Sequence, residues 1–358
     1  MGSSLNKDFL NPNKIIYCFA EKLNDYMRGN RKFYPWSVEI HPTSECNYQC
    51  IFCSYKERNK KKCILDKTVM DSLIESLIKT GVKGVYFSGG GESSIYPGVA
   101  SYIEKLYING VETAMITNGS CLKEAGIIDI AYMMNYIAVS IASVNPEKYK
   151  EITNSTKLEN VLSVPNEIKK THGDKSPVIG SRIVVTNLTL NEIGNILLEL
   201  KERRFDYALF KIVRDYEDRG LGIDSDAELY LKEKLIKMNE EKIIDNEFTN
   251  LNNILSYKEH SILTSKCFIN EMGLLAVVNS DGKVYPNIVE IGNPDFCIGD
   301  LNTYNFEDIW HTEKHEKIKE LSNLKCAEGE CKNCRAMAYN DIIENIIKSL
   351  PSKKDVFI

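Results

Sequence analysis

Between residues 36 and 240 the chain repeats one rhythm: a short apolar run, a turn, then an amphipathic helical segment. Trp36–His41 reads as the first strand. Thr68–Thr80 reads as the first helix, because Val69, Leu73, Ile74, Leu77 and Ile78 fall on one face. Asp66 is its expected N-cap and Gly81 its expected stop. Strands at Lys83–Ser88, Val111–Thr117, Tyr136–Ala142, Val178–Val185 and Tyr207–Val213 then alternate with helices at Val99–Asn109, Lys123–Ala131, Pro146–Lys170, Leu190–Lys201 and Asp226–Glu240. About six β/α units in a row predict a parallel sheet with right-handed crossovers. Six fall short of the eight that close a barrel, so the expected fold is α/β, a partial (β/α)6 barrel. Its chemistry belongs on the loops that follow the strands.

Past residue 260 the style changes. Gly273–Val278, Ser280-Asp281-Gly282 and Lys283–Tyr285 read as a hairpin with an Asp-Gly turn, followed by a helix over Phe306–Leu321. The expected layout is a helical extension over 1–35, the barrel over 36–240, a helical connector over 241–264, a small α+β domain over 265–345 and a tail over 346–358. In the extension, Ile15, Phe19, Leu23 and Tyr26 are expected to face the barrel. With 358 residues, 43% of them hydrophobic, the chain can bury such a core. A net charge of −5 argues against a nucleic-acid partner. No run of 18 apolar residues and no signal-peptide core is present, so no membrane span and a cytoplasmic location are expected.

Eleven cysteines are many for a reducing compartment, where clustered thiols point to metal or catalysis. Cys46, Cys50 and Cys53 sit in the loop after the first strand. Three thiolates on one tight loop suit an iron–sulfur cubane with one iron left open. The alternative is a zinc knuckle with His41 as fourth ligand. A second group, Cys326, Cys331 and Cys334, lies near the C-terminus, with Cys267 and Cys297 between the groups. Cys18 and Cys121 read as small buried hydrophobes.

The spacing C-x3-C-x2-C, with aromatic Phe52 before the last cysteine, resembles the signature of the radical S-adenosylmethionine (SAM) superfamily. Ser88-Gly89-Gly90-Gly91-Glu92 resembles that family's Gly-Gly-Glu motif, with Ser93 where Pro is frequent. The resemblance implies a SAM-binding [4Fe-4S] cluster on Cys46, Cys50 and Cys53. It also implies a SAM site formed by Phe52, Ser88, Gly89, Gly90, Gly91, Glu92, Thr117, Asn118, Ser140 and Arg182. Reductive cleavage of SAM would then give a 5′-deoxyadenosyl radical that abstracts a substrate hydrogen. A flavodoxin or ferredoxin would supply the electron, and the basic run Lys56–Lys62 is a candidate dock for it.

Cys267, the hairpin ending Tyr285-Pro286, Phe306–Trp310 and Cys331-x2-Cys334 resemble the SPASM auxiliary-cluster domain or its shorter twitch form. Asn287 replaces the cysteine usual after Tyr-Pro. Five cysteines fit one auxiliary [4Fe-4S] cluster, with Cys267, Cys331 and Cys334 as ligands. The fourth is Cys297, Cys326 or an open position, and a structural zinc site is the alternative. A thiol outside the clusters suits a hydrogen-atom donor, for which Cys63, Cys297 and Cys326 are candidates. Tyr216–Ser225 is a candidate lid.

The resemblance implies either a ribosomal peptide or a small molecule as substrate. Polar substrate-side loops and the lack of a nucleotide fingerprint other than SAM's favour peptide modification by crosslinking, epimerisation or oxidation, while the lack of a fused peptide-binding domain favours a small molecule. The first alternative is a dehydrogenase, epimerase or deaminase of a small molecule such as an aminocyclitol or sugar nucleotide. The second is a non-catalytic iron–sulfur or zinc protein.

Overall fold

The computed structural model describes residues 19–55, 62–213, 219–249, 263–331, 334 and 337–349. Ile15, Cys18, the basic run up to residue 61, residues 216–218 of the candidate lid and the tail beyond 349 lie outside the described residues.

Six strands carry the barrel: β1 (Ser37–Ile40), β2 (Gly84–Phe87), β3 (Glu112–Thr117), β4 (Tyr136–Ile141), β5 (Val178–Val185) and β6 (Tyr207–Ile212). All pair in parallel with their sequence neighbours. Right-handed helical crossovers are what such a ladder requires. The sheet does not close, and the fold is the expected α/β partial barrel. Its outer face is a continuous apolar core: Ile137, Val139, Ile179 and Ile183 from the strands meet Leu73, Ile74, Ile103 and Leu106 from the helices, all 0–1% exposed. The other face carries Glu39, Tyr86, Tyr136, Ser140 and Arg182, which share a parity of the pleat.

Side-chain caps explain several helix starts. Asp66 accepts a hydrogen bond from Thr68 N and caps Lys67–Lys79. Asn145 caps Pro146–Thr153, with Pro at the first position. Three helical segments differ from the sequence reading. The 146–170 stretch breaks at Asn154, which turns left-handed at φ 55°, before a second helix, Leu158–His172. The 123–131 stretch shrinks to Ile127–Ile130 and a 3-10 turn, because Gly126 takes a left-handed conformation at its start. The 306–321 stretch splits into Phe306–Trp310 and Glu313–Ala327, since Thr312 Oγ1 accepts from His315 N and begins a new helix.

The hairpin β7 (Leu275–Val278) and β8 (Lys283–Tyr285) forms as read, and β9 (Gly299–Asp300) adds to it. Beyond that reading, β7 pairs in parallel with β1, so one nine-stranded sheet runs β6-β5-β4-β3-β2-β1-β7-β8-β9. A second core gathers Phe268, Ile269, Met272 and Leu274 with Leu23 and Tyr26 of the helix Ala20–Met27. That helix was expected against the barrel; Leu23 and Tyr26 instead turn toward the C-terminal region. Lys22 fixes it there, donating to the carbonyls of Tyr34 (2.5 Å), Met272 (3.1 Å) and Gly273 (2.8 Å). Among the described residues no helix is long and apolar enough to cross a membrane.

Candidate active site

The cysteine loop leaves the carboxyl end of β1 and is pinned by backbone from other segments. Ser44 N donates to Cys63 O (2.8 Å), and Cys63 N donates to Ser44 Oγ (2.7 Å). Gln49 N and Ile51 N donate to Thr153 O (3.0 Å) and Ile152 O (2.9 Å). Tyr149 OH donates to Tyr48 OH at 3.0 Å, and Arg219 Nη1 donates to Ile51 O at 2.6 Å. The last turn closes with Cys53 N on Cys50 O at 3.2 Å. Cys46 is exposed, whereas Cys50 and Cys53 are half-buried.

Desolvation pushes the Cys46 thiol up to about 11, and Glu92 and Cys53 add to the rise; Cys50 is pushed up to about 12, first by desolvation and then by Cys46 and Cys53. Burial thus favours the neutral thiols of Cys46 and Cys50, and bound iron would supply the positive charge that holds them as thiolates. The donor set fits an iron–sulfur cluster.

Beside it, the Ser88–Glu92 segment ends β2. Glu92 N donates to Glu45 O at 2.8 Å, joining the glycine segment to the cysteine loop. Backbone contact explains the glycines. A Cβ on Gly91 would lie 2.0 Å from Glu45 O, and one on Gly89 (φ +135°) 2.8 Å from the His41 side chain.

Glu92 is 3% exposed and gathers three loops. Its Oε1 accepts from Thr117 Oγ1 (2.6 Å) and Ser94 N (2.9 Å), and its Oε2 accepts from Asn118 N (2.7 Å). A carboxylate has about four acceptor sites, so roughly one is left for a ligand. Thr117 and Asn118, expected to face SAM, also hold the loop together. Thr117 Oγ1 also accepts from Gly119 N (2.9 Å), and Asn118 Nδ2 donates to Asn47 Oδ1 (2.8 Å). Ser140 and Arg182 stand side by side on β4 and β5. Arg182 Nε is buried with no hydrogen-bond partner among the described residues. Phe52 is half-buried against the main core. Cys121, read as a hydrophobe, is half-buried among polar groups: Asn47 Nδ2 at 3.2 Å and Lys157 Nζ at 3.6 Å.

The C-terminal thiols come from separate segments. Cys267 begins the turn Phe268–Glu271, Cys326 ends the helix Glu313–Ala327, and Cys331 and Cys334 follow it. Cys326 Sγ lies 3.5 Å from Cys331 Sγ. The Cys326 thiol is pushed up to about 12, first by its hydrogen bond with Cys267, with Cys334 adding to the rise. These thiols form one electrostatic group. Cys297 is not in it: it lies just before the edge strand β9, its Sγ donates to Gly299 O (3.5 Å), and its charged neighbours are Lys314, Lys283, Asp281 and Asp300. Asn287 turns its Oδ1 to Val289 N and Glu290 N. Among the described residues no three His, Cys, Asp or Glu side chains close on a point that one metal ion would occupy. In a cubane each thiolate binds its own iron, so the thiols need not share a point.

Sequence reasoning missed Asn47, Tyr149 and Arg219 as supports of the cysteine loop. Asn47, two residues from Glu45, is polar within the motif and was findable; Arg219 reaches Ile51 across 168 positions with no local signal.

The family model of the radical SAM superfamily matches residues 40–200, and that of an iron–sulfur cluster-binding domain, SPASM, matches 267–335. An S-adenosylmethionine-dependent nucleotide dehydratase of Flammeovirga pacifica is 27% identical over 207 residues, 55% of this chain and 69% of the dehydratase. A probable GTP 3′,8-cyclase of Thermococcus kodakarensis is 30% identical over 162 residues, 45% of this chain and 52% of the cyclase. Streptococcus suis SuiB bound to S-adenosylmethionine superposes with a TM-score of 0.66 at 15% identity, covering 95% of this chain and 80% of SuiB. Native anSMEcpe with bound AdoMet gives 0.62 at 20% identity, covering 86% and 88%. At these identities the two structures speak for the fold.

Proposed function

The chain belongs to the radical SAM superfamily and carries a C-terminal SPASM domain; from that premise we propose that it abstracts a hydrogen atom from a ribosomal peptide held at the mouth of the partial barrel. It is an enzyme whose cofactors are a SAM-binding [4Fe-4S] cluster and an auxiliary iron–sulfur cluster. When bound, the first cluster and SAM supply a 5′-deoxyadenosyl radical by one-electron reduction and cleavage of SAM.

The chain's own part is positioning and exclusion. Cys46, Cys50 and Cys53 hold three irons of the first cluster and leave the fourth to SAM. Gly89, Gly90 and Gly91 let that ligand approach the backbone. The spare acceptor site of Glu92 takes its ammonium group. Ser140 and Arg182 receive its hydroxyl and carboxylate groups, a role that suits a guanidinium with a buried, unpartnered Nε. Cys267, Cys326, Cys331 and Cys334 hold the auxiliary cluster through four thiolates, which suits electron transfer and leaves no iron for substrate. The observation that carries this reading is the meeting of the cysteine loop, the glycine segment and the β3 loop on Glu92.

A peptide substrate is supported by SuiB bound to precursor peptide SuiA and by anSMEcpe bound to a Cp18Cys peptide, whose folds cover 91% and 86% of this chain. A nucleotide substrate is the second reading. It rests on the dehydratase and the cyclase, which have the higher identity but match about half of the chain. Deuterium tracing separates the two. The reconstituted enzyme, reduced by flavodoxin or dithionite, is given SAM with a perdeuterated precursor peptide or with a panel of deuterated nucleoside triphosphates, GTP among them. Deuterium in 5′-deoxyadenosine from the peptide is the expected result. Deuterium from the nucleotide alone overturns the peptide reading.

A further inference from the structure

We propose that Asn340 is a positioning residue of the auxiliary cluster: its carboxamide nitrogen donates hydrogen bonds to the Cys267 and Cys326 sulfurs and thereby raises the cluster's reduction potential. The proposal rests on Cys267 and Cys326 being cluster ligands, as assigned above.

Asn340 lies on the helix Met337–Ser349, just after Cys334, and is 1% exposed. Its Oδ1 accepts from Ile269 N at 3.1 Å. That backbone donor settles which end of the amide is oxygen, because an N–H cannot bond to an NH2 group's hydrogens. The NH2 group is therefore turned to the thiols, with Nδ2 3.7 Å from Cys326 Sγ and 3.9 Å from Cys267 Sγ. Among the described residues these two sulfurs are its only acceptors. A buried amide with weak acceptors is costly. A neutral thiol is a weak acceptor and a thiolate a much stronger one. The amide is thus satisfied best when both sulfurs carry negative charge.

The surrounding amides fix the frame. Asn323 Oδ1 accepts from Cys267 N (2.8 Å), and Asn323 Nδ2 donates to Glu271 Oε1 (2.7 Å). Asn270 Nδ2 donates to Ser322 Oγ (2.7 Å). Among the described residues neither of those NH2 groups is engaged with a sulfur, and of the three only Asn340 has that contact. Reduction adds negative charge to the cluster sulfurs, so a fixed donor favours the reduced form. Lys325 Nζ, beside Cys331, pairs with Glu290 Oε1 at 2.9 Å.

The test is EPR-monitored potentiometry of the full-length, anaerobically reconstituted holoenzyme, following the signal that SAM leaves unchanged. Asn340→Leu keeps the size of the side chain and removes both donors. Unchanged iron content with a potential shifted to more negative values is expected. Unchanged iron with an unchanged potential overturns the proposal. A second measurement needs no variant: pulsed EPR of the reduced cluster in protein labelled with 15N at asparagine side-chain amides. A nitrogen coupling that changes with the label is expected, and its absence overturns the proposal even if Asn340→Leu fails to fold. Failure of the ligand assignment looks different, since Cys326→Ala would then retain all its iron.

Discussion

The two thiol groups are built on opposite plans. The N-terminal three lie within eight residues of one loop, with Cys46 at the surface, and neighbouring loops pin the backbone around them. The C-terminal thiols come from three stretches of chain as far apart as Cys267 and Cys334. Cys267 and Cys326 are buried in a separate core roofed by amide side chains. A cluster that must admit a ligand needs contiguous donors at a rim. A cluster whose irons are all ligated can be sequestered, and then the fold itself assembles the donors.

The largest effects test whether the groups are independent. The Cys46→Ala, Cys50→Ala, Cys53→Ala triple variant is expected to keep about half of the roughly eight irons of two cubanes and to form no 5′-deoxyadenosine. Iron analysis and product chromatography read this; SAM cleavage surviving in that variant would break the comparison at its first member. Next, Cys326→Ala is expected to lose the auxiliary cluster, about half of the iron, while Cys297→Ala keeps all of it. The reverse pattern would move the fourth donor to Cys297, beside β9.

The same contrast explains what was legible in the sequence. The N-terminal site is local: Cys46, Cys50, Cys53 and the Gly-Gly-Glu segment are contiguous motifs, and the β/α rhythm places them at strand ends. The Asp66 cap and the Asp281-Gly282 turn are equally local and were readable. The C-terminal site is tertiary. Cys297 and Cys326 have similar claims by spacing, and only the packing of the helix Glu313–Ala327 against Cys267 separates them. The parallel pairing of β7 with β1 joins residues more than two hundred positions apart and leaves no periodic trace. Nor does the seat of the Ala20–Met27 helix, whose apolar face suits either core. The splits at Asn154 and Thr312 fall in polar stretches, 153–157 and 311–317, where no apolar residue sets a phase and the local capping residue decides.

A smaller effect is expected at Glu92. Glu92→Gln keeps the shape but removes the charge. It also turns one acceptor into a donor facing Thr117 or the Asn118 N–H. Losing a charged hydrogen bond of about 1.5–3 kcal/mol predicts SAM affinity weaker by roughly tenfold to a hundredfold. Equilibrium dialysis with reconstituted enzyme measures it. The auxiliary cluster's iron and EPR signal are expected to stay unchanged, and a change there would mean the two regions share more than a sheet.

The smallest expected effect comes from the helix that covers the C-terminal core. Lys22 gives its ammonium three carbonyl acceptors, two of them, Met272 and Gly273, in the turn just before β7. The Phe33 ring lies 5.5 Å from the same nitrogen. Desolvation holds the Lys22 ammonium down to about 7, with Lys83 adding to it, yet the three carbonyls favour the charged form. Lys22→Met keeps the length and strands those carbonyls, a change on the scale of about 1–3 kcal/mol. It should act on one region only. The auxiliary cluster is expected to lose iron faster to a chelator, while the SAM-responsive cluster, whose loop rests on Cys63, Ile152 and Thr153, keeps its rate. Equal acceleration at both clusters would show that the Ala20–Met27 helix supports the whole sheet through β1 and β7, and that the two plans are mechanically one.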